Sequence, residues 1–428
     1  MNSSHSNYDV IVIGGGPAGS TAAALLAEKG RRVVVLEREK FPRYHVGESL
    51  LPYCWYPLQR LGLVEKMNAS HFPKKYSVQF VNPEGKLSVP FYFFQHYDHP
   101  SSQTWQVLRS EFDQMLMDTA REKGAAVIER ITARELLRTG DAVTGVTAVD
   151  EHGFQRQFHA PMTIDATGRD AFAISRNGWK VRDPYLNKIA IWTYYEGALR
   201  DEGKDAGATT IAFVPEKGWF WYIPLPQDLV SVGVVAEKDY LYDGSRDLAT
   251  IFQREVRKNP WIERHLAQGR QTGQYFVTAE FSYRSRYSAC EGLVLAGDAF
   301  GFLDPVFSSG VYLALRSGEM TADVVDEALT AGDFSAARFT EYSATLRHEI
   351  EAMRRLVYAF YNQNFSFKDF FMEFPEHRGD VTDCLIGNLS RDFDPMFSHM
   401  RKFADVPGPV PHGQPLLGPT GNLAAAGD

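Results

Sequence analysis

The stretch Tyr8-Asp9-Val10-Ile11-Val12-Ile13-Gly14-Gly15-Gly16-Pro17-Ala18-Gly19 decides the fold. Tyr8 to Ile13 is a β-branched run that predicts a strand, Ser20 to Lys29 predicts a helix, and Arg32 to Leu36 predicts a second strand ending in Glu37. Strand, turn, helix and strand make one βαβ unit. Gly14, Gly16 and Gly19 supply the GxGxxG spacing: a tight turn, room for a pyrophosphate against the backbone, and close packing of helix on strand. Pro17 and Ala18 complete the turn at the helix N-terminus, where backbone N–H groups face an anion. Glu37 falls where an acidic side chain binds ribose hydroxyls. The unit predicts a dinucleotide-binding α/β domain.

Composition narrows what surrounds it. A chain of 428 residues, 44% hydrophobic and 23% charged, is long enough for two or more joined domains. A net charge of -8 argues against a nucleic-acid surface, which needs clustered Lys and Arg. The three cysteines, Cys54, Cys290 and Cys384, are odd in number and widely spaced, so neither a disulfide framework nor a CxxC metal site is expected. They read as small buried hydrophobes of a reducing compartment. Met1 to Asn7 is polar and the apolar run after it is soon broken by glycines, so no signal peptide or membrane span is expected and the location is read as cytoplasmic. The tail from Val406, rich in Pro, Gly and Ala, is expected to be mobile or draped over the surface.

Three later segments resemble glutathione-reductase-like FAD flavoproteins. Glu291-Gly292-Leu293-Val294-Leu295-Ala296-Gly297-Asp298-Ala299 reads as a strand, a Gly-Asp turn and a small-residue helix. The resemblance implies that Asp298 binds the ribityl chain or an adjoining phosphate; taken alone it also reads as a helix N-cap. Met162-Thr163-Ile164-Asp165-Ala166-Thr167-Gly168-Arg169 resembles the family's middle segment and implies that Ala166, Thr167 and Gly168 touch the cofactor. Arg43-Tyr44-His45-Val46-Gly47-Glu48-Ser49 resembles the loop along the flavin, implying contacts from Arg43, Glu48 and Ser49, with His45 read as packing. Val107-Leu108-Arg109 resembles a helix start whose arginine reaches the FAD phosphates; Arg109 in a surface ion pair is the alternative.

The run Gly218-Trp219-Phe220-Trp221-Tyr222-Ile223-Pro224 holds two of the seven tryptophans. On a strand, alternate side chains point to opposite faces, so one aromatic pair packs inward and the other lines a partition or pocket. Phe302, Pro305, Ser308 and Gly310 fill FxxPxxSxG, and with WxWxIP at Trp219 to Pro224 the chain resembles the flavin-dependent halogenases. That resemblance implies an enzyme in which FADH2, oxygen and chloride or bromide give a flavin hydroperoxide and then HOCl or HOBr. It implies that Trp219 and Trp221 keep substrate off the flavin, that Pro305 and Gly310 abut the flavin ring, and that backbone N–H groups of Ser309 and Gly310 hold the halide. In Phe72-Pro73-Lys74-Lys75-Tyr76-Ser77-Val78-Gln79-Phe80, Lys75 matches the lysine that carries or activates hypohalous acid, with Lys74 its competitor. A desolvated ammonium donates a hydrogen bond to HOCl; a neutral amine forms a chloramine.

Phe307 stands where tryptophan-type members carry a glutamate, and the chain is short for that branch, so the resemblance leans to phenol and pyrrole substrates, indole remaining open. The rivals are a geranylgeranyl-reductase-like enzyme, an aromatic hydroxylase and a non-catalytic flavoprotein. With no second GxGxxG, reduced flavin is expected from a separate NAD(P)H flavin reductase. The aromatic substrate arrives free or tethered to a carrier protein. The expected architecture is a Rossmann-like FAD domain (1–75, 106–175, 286–330), an interleaved antiparallel substrate sheet (76–105, 176–285), a C-terminal helical cap (331–405) and a flexible tail (406–428).

Overall fold

In the computed structural model, which describes residues 6–214, 218–279, 282–362 and 365–418, Val10–Ile13 lies inside a six-stranded sheet. Its order is Ala289–Cys290, Leu293–Leu295, Met162–Asp165, Val10–Ile13, Val33–Leu36 and Ala126–Ile128. All pairings are parallel except that of the edge strand Ala289–Cys290. Every residue of Val10–Ile13 and Val33–Leu36 is buried, because helix Pro17–Glu28 and the strands Ile131–Thr139 and Ala142–Asp150 of a separate four-stranded sheet pack against this sheet. This is why both strands read as unbroken β-branched runs. The first helix starts at Pro17 rather than Ser20: Gly16 is its extended N-cap, and proline at the first position lacks an N–H that would have no intrahelical partner.

A seven-stranded sheet stands beside this domain, ordered Arg270–Ala279, Lys188–Glu196, Leu229–Glu237, Gly218–Pro224, Thr209–Val214, Ser77–Val81 and Phe91–Tyr92. It is antiparallel apart from the parallel pair Thr209–Val214 and Ser77–Val81. The aromatic run divides by parity: Trp219, Trp221 and Ile223 join the core facing the FAD-type domain. Phe220 and Tyr222 point the other way, against Phe252 and Trp261 on helices Leu248–Val256 and Pro260–Leu266.

Helices Ser309–Ala331 and Thr340–Tyr361, then the shorter Phe367–Glu373, Arg378–Ile386 and Asp394–Met400, form the C-terminal part. Phe367 packs tilted against Phe80 and Phe371 against Phe91, so the cap closes on the edge of the substrate sheet. The small residues after Gly297-Asp298 do not start a helix as expected. They make one 3-10 turn, Gly297–Ala299, and the helix waits until Ser309. Of the tail, Gly413 N–H donates to Arg286 O and Leu416 N–H to Ala289 O, each at 2.8 Å, laying residues 413–416 along the buried edge strand Ala289–Cys290; 419–428 lie outside the described residues. Among the described residues no helix is long and apolar enough to cross a membrane, and all three cysteines are buried and free.

Candidate active site

A cavity of about 430 Å³ runs between the parallel sheet, the seven-stranded sheet and the start of helix Ser309–Ala331. Gly14, Gly16, Pro17, Ala18, Glu37, Arg43, Glu48, Ser49, Arg109, Ala166, Thr167, Gly168, Asp298, Pro305 and Gly310 line it, as do Trp219 and Trp221. Gly19, Ser309 and Lys75 sit behind the wall.

At one end the glycine turn meets two guanidiniums. Gly14 has a φ of +98°, and a Cβ there would lie 2.4 Å from Ala166 O. A Cβ on Gly19 would lie 1.9 Å from Gly14 O, so Gly19 packs helix on turn. Gly16 differs: the nearest protein atom to a Cβ there is Arg43 Nη2 at 3.5 Å, leaving a cradle open toward the cavity. Arg109 and Arg43 both bond the buried Asp113, at 2.8 and 3.0 Å. Burial pushes the Asp113 carboxyl up, but the two guanidiniums outweigh it and hold it below the usual range. Two arginines on one carboxylate leave this trio net positive. Arg169 adds a buried Nε with no hydrogen-bond partner among the described residues. A helix N-terminus, an open glycine cradle and this excess positive charge fit the pyrophosphate of FAD. Glu37 accepts from the N–H groups of Gly15 (2.7 Å) and Glu39 (2.8 Å), a position from which its carboxylate also faces the cavity. Burial raises the Asp298 pKa to about 6, with Arg169 and Arg109 opposing.

Along the middle, a buried polar chain supports the tryptophans. Trp221 Nε1–H donates to Ser231 Oγ (3.1 Å), Ser231 to Glu48 (3.4 Å), and Tyr194 OH also donates to Glu48 (2.7 Å). Tyr44 OH donates to Tyr194 OH (2.9 Å) and accepts from Trp192 Nε1 (2.7 Å). Burial raises the Glu48 pKa, against the Tyr194 hydrogen bond and the charge of Arg109. Trp192, Trp219 and Trp221 form one aromatic wall with centroids 6.3 and 6.2 Å apart.

At the far end, Pro305–Phe307 is a 3-10 turn, Ser308 takes a φ of +56°, and Ser309 and Gly310 are the first two helical residues. Their N–H groups precede the point where intrahelical bonding begins, so the turn expected to hold the halide is the helix N-terminus itself. Asp304 Oδ1 accepts from Val306 N–H (3.0 Å), fixing the turn. Phe307 is buried against Phe360 of the cap (5.5 Å between centroids), which fills with apolar contact the place where a glutamate was missed.

Lys74 is exposed and Lys75 is 2% exposed, on a two-residue strand paired with Thr104–Trp105. Lys75 Nζ donates to Ser49 Oγ (2.9 Å) and Leu50 O (3.2 Å). Ser49 in turn bonds Thr209 Oγ1 (2.7 Å), and both of these line the cavity. Burial lowers the Lys75 pKa to about 7. The amine therefore stands one hydrogen bond behind the cavity wall.

The sequence profile described as tryptophan halogenase matches residues 9–101 and 94–371. The chain belongs to that family. The 1H-pyrrole-2-carbonyl-peptidyl-carrier-protein chlorinase of Pseudomonas fluorescens is 31% identical over 411 residues, 90% of each chain. The corresponding brominase of Pseudoalteromonas luteoviolacea is 32% identical over 332 residues, 77% of this chain and 79% of its own. The structure of the flavin-dependent brominase Bmp2 superposes with a TM-score of 0.84 at 29% identity, covering 93% of this chain and 98% of that one. The protein is thus an FAD-dependent halogenase that uses FADH2 and halide, with the α/β architecture and helical cap read from its sequence. Family membership decides against the reductase, hydroxylase and non-catalytic readings.

Sequence reasoning missed Trp192, Tyr44, Tyr194 and Ser231, whose meeting depends on segments far apart in the chain; it assigned no role to Asp304 and read Tyr361 only as a cap aromatic, core or pocket wall. Asp113 was within reach: it follows Arg109 by one helical turn, the spacing of a paired side chain.

Proposed function

We propose that this halogenase acts on an electron-rich aromatic ring through the amine of Lys75, the ring being a pyrrole carried as a thioester on a carrier protein. Burial of Lys75 carries this reading: among the described residues its Nζ donates to a hydroxyl and a carbonyl, and no carboxylate holds it protonated. Bound FADH2, with dioxygen and halide, supplies hypohalous acid. The neutral amine then attacks the halogen: an N–Cl bond forms as the O–Cl bond breaks, and the departing hydroxide leaves as water with the amine proton. The ring carbon next takes the halogen, the N–Cl electron pair returns to nitrogen, and the proton lost by the ring passes to that nitrogen and restores the amine. Displacing the Ser49 hydroxyl opens the path from cavity to amine.

Trp219 and Trp221 fill the space over the flavin site, admitting hypohalous acid and excluding a ring. Ser309 and Gly310 hold the halide by N–H groups, and Lys74, pointing to solvent, takes no part. Without a carboxylate at Phe307 to help deprotonate the ring, pyrroles and phenols suit the site better than indole. The pyrrole-thioester enzymes of the two Pseudomonas and Pseudoalteromonas relatives support the tethered substrate, and the single glycine-rich phosphate turn supports reduction of flavin by a separate NAD(P)H reductase.

The test combines the purified protein, a flavin reductase, NADH and bromide with pyrrolyl-carrier thioester, free pyrrole-2-carboxylate and simple phenols. Bromine isotope patterns on the thioester alone are expected. Bromination of a free phenol but not the thioester would overturn the tethered reading, and no product with Lys74→Ala would overturn the choice of lysine.

A further inference from the structure

A cluster in the cap, apart from the cavity lining, brings two imidazoles and a carboxylate together. His377 closes the turn Pro375–His377, Glu376 precedes it, and His399 lies on helix Asp394–Met400. One ligand-type atom from each lies within 4.8 Å of the others. We propose that Glu376, His377 and His399 form a binding site for a zinc-class divalent ion that ties the cap's last helix to its neighbour.

The orientation of His377 is the first argument. Its ring is buried, and Nδ1 bonds Asp380 Oδ2 at 2.7 Å, one turn on in helix Arg378–Ile386. Asp380 is itself held by Arg391 at 3.3 Å. A carboxylate at Nδ1 keeps the proton there and turns the Nε2 lone pair toward His399, available to ligate once His399 carries its proton on its own Nε2; metal-bound histidines are commonly oriented this way. That Nε2 faces His399 Nδ1 at 2.8 Å. Two nitrogens on one tetrahedral ion, each at about 2.0–2.1 Å, stand about 3.3 Å apart, so a small opening of the pair admits the ion.

Ring packing is the second argument. His399 stacks on Phe374 at 4.2 Å and 14°, and His377 lies parallel to Phe370 at 5.9 Å and 7°. Both imidazoles are held in place before any ion arrives. Glu376 is exposed and free to swing onto the ion, leaving the fourth position to water. Two nitrogens, one carboxylate and no thiolate select a borderline ion such as zinc over calcium or magnesium. The alternative is a plain hydrogen bond between the two histidines.

Calorimetry of tag-free, chelator-stripped protein with zinc chloride decides between them, together with the visible absorption of added cobalt. One ion per chain is expected, with a rise in Tm; stoichiometry matters because the chain has 12 histidines. Glu376→Gln changes an exposed side chain and cannot unfold the cap; it should weaken binding at least tenfold. His399→Gln should abolish it, and Asp380→Asn should weaken it by roughly 10–100-fold. Absence of saturable 1:1 binding, or unchanged affinity in Glu376→Gln, overturns the site and leaves the histidine pair as a hydrogen bond.

Discussion

The Tyr361 hydroxyl donates to Asp304 Oδ2 at 2.9 Å, joining the C-terminal cap to the turn that starts helix Ser309–Ala331. The same hydroxyl accepts from Trp219 Nε1 at 2.9 Å. One cap side chain therefore bonds both the tryptophan wall and, through Asp304 and Val306, the turn before helix Ser309–Ala331. Burial raises the Asp304 pKa to about 6, and the bonds from Val306 and Tyr361 oppose it.

Tyr361→Phe should disturb both ends together. Removing the hydroxyl orphans a buried indole N–H and one carboxylate oxygen, at a cost of about 1–3 kcal/mol. Thermal unfolding should show the loss, and the halide concentration for half-maximal rate should rise. An unchanged halide dependence would mean that the turn holds its shape without the tyrosine.

Gly16→Val should abolish FAD binding while leaving the fold intact. The new Cβ meets no protein atom closer than 3.5 Å, so only a ligand collides with it. Gly19→Ala, by contrast, places Cβ 1.9 Å from Gly14 O and should lower Tm even without FAD. FAD-induced stabilisation separates the two, because a ligand that binds the folded state alone raises Tm by mass action.

Lys75→Ala should cut halogenated product by roughly 100-fold or more while reduced flavin is still oxidised. Lys74→Ala, at an exposed position, should keep wild-type rates. Product yield and flavin oxidation measured side by side check this, and a reversal between the two lysines would reassign the amine.

The pH profile follows from the same residue. With its pKa lowered to about 7 by burial, Lys75 is a neutral amine above that pH, so halogenation should rise through about pH 7 while flavin oxidation stays level. The stability sign is fixed too. The unfolded chain binds the extra proton between about 7 and the ordinary lysine value of about 10.4, so this site's contribution to stability rises with pH across that window. Lys75→Met should flatten that rise in denaturant titrations.

Gly310→Pro removes one proposed halide donor at a first-turn position, where a helix tolerates proline. Half-saturating halide should rise about tenfold or more, the loss of one hydrogen bond of roughly 1.5 kcal/mol to an anion. Gly310→Ala keeps the N–H, and its Cβ meets Phe302 Cε2 only at 3.4 Å, so it should stay near wild type. Unaltered halide dependence in the proline variant would move the halide elsewhere.

What the sequence determined by itself was whatever depends on neighbours in the chain. The βαβ unit was legible because Gly14, Gly16 and Gly19 impose backbone geometry at fixed spacing, and the two faces of Trp219 to Ile223 because a strand alternates. Family resemblance added the order of the later FAD segments. Only the tertiary structure decided which side chains share a cavity. It put Lys75 one hydrogen bond behind the wall, made Ser309 and Gly310 the first residues of a helix, and joined Trp221 to Glu48 through Ser231. It also delayed the helix expected after Asp298 until Ser309. Those relations depend on burial and on contacts between segments far apart in the chain, and neither spacing nor composition records which distant strands pair.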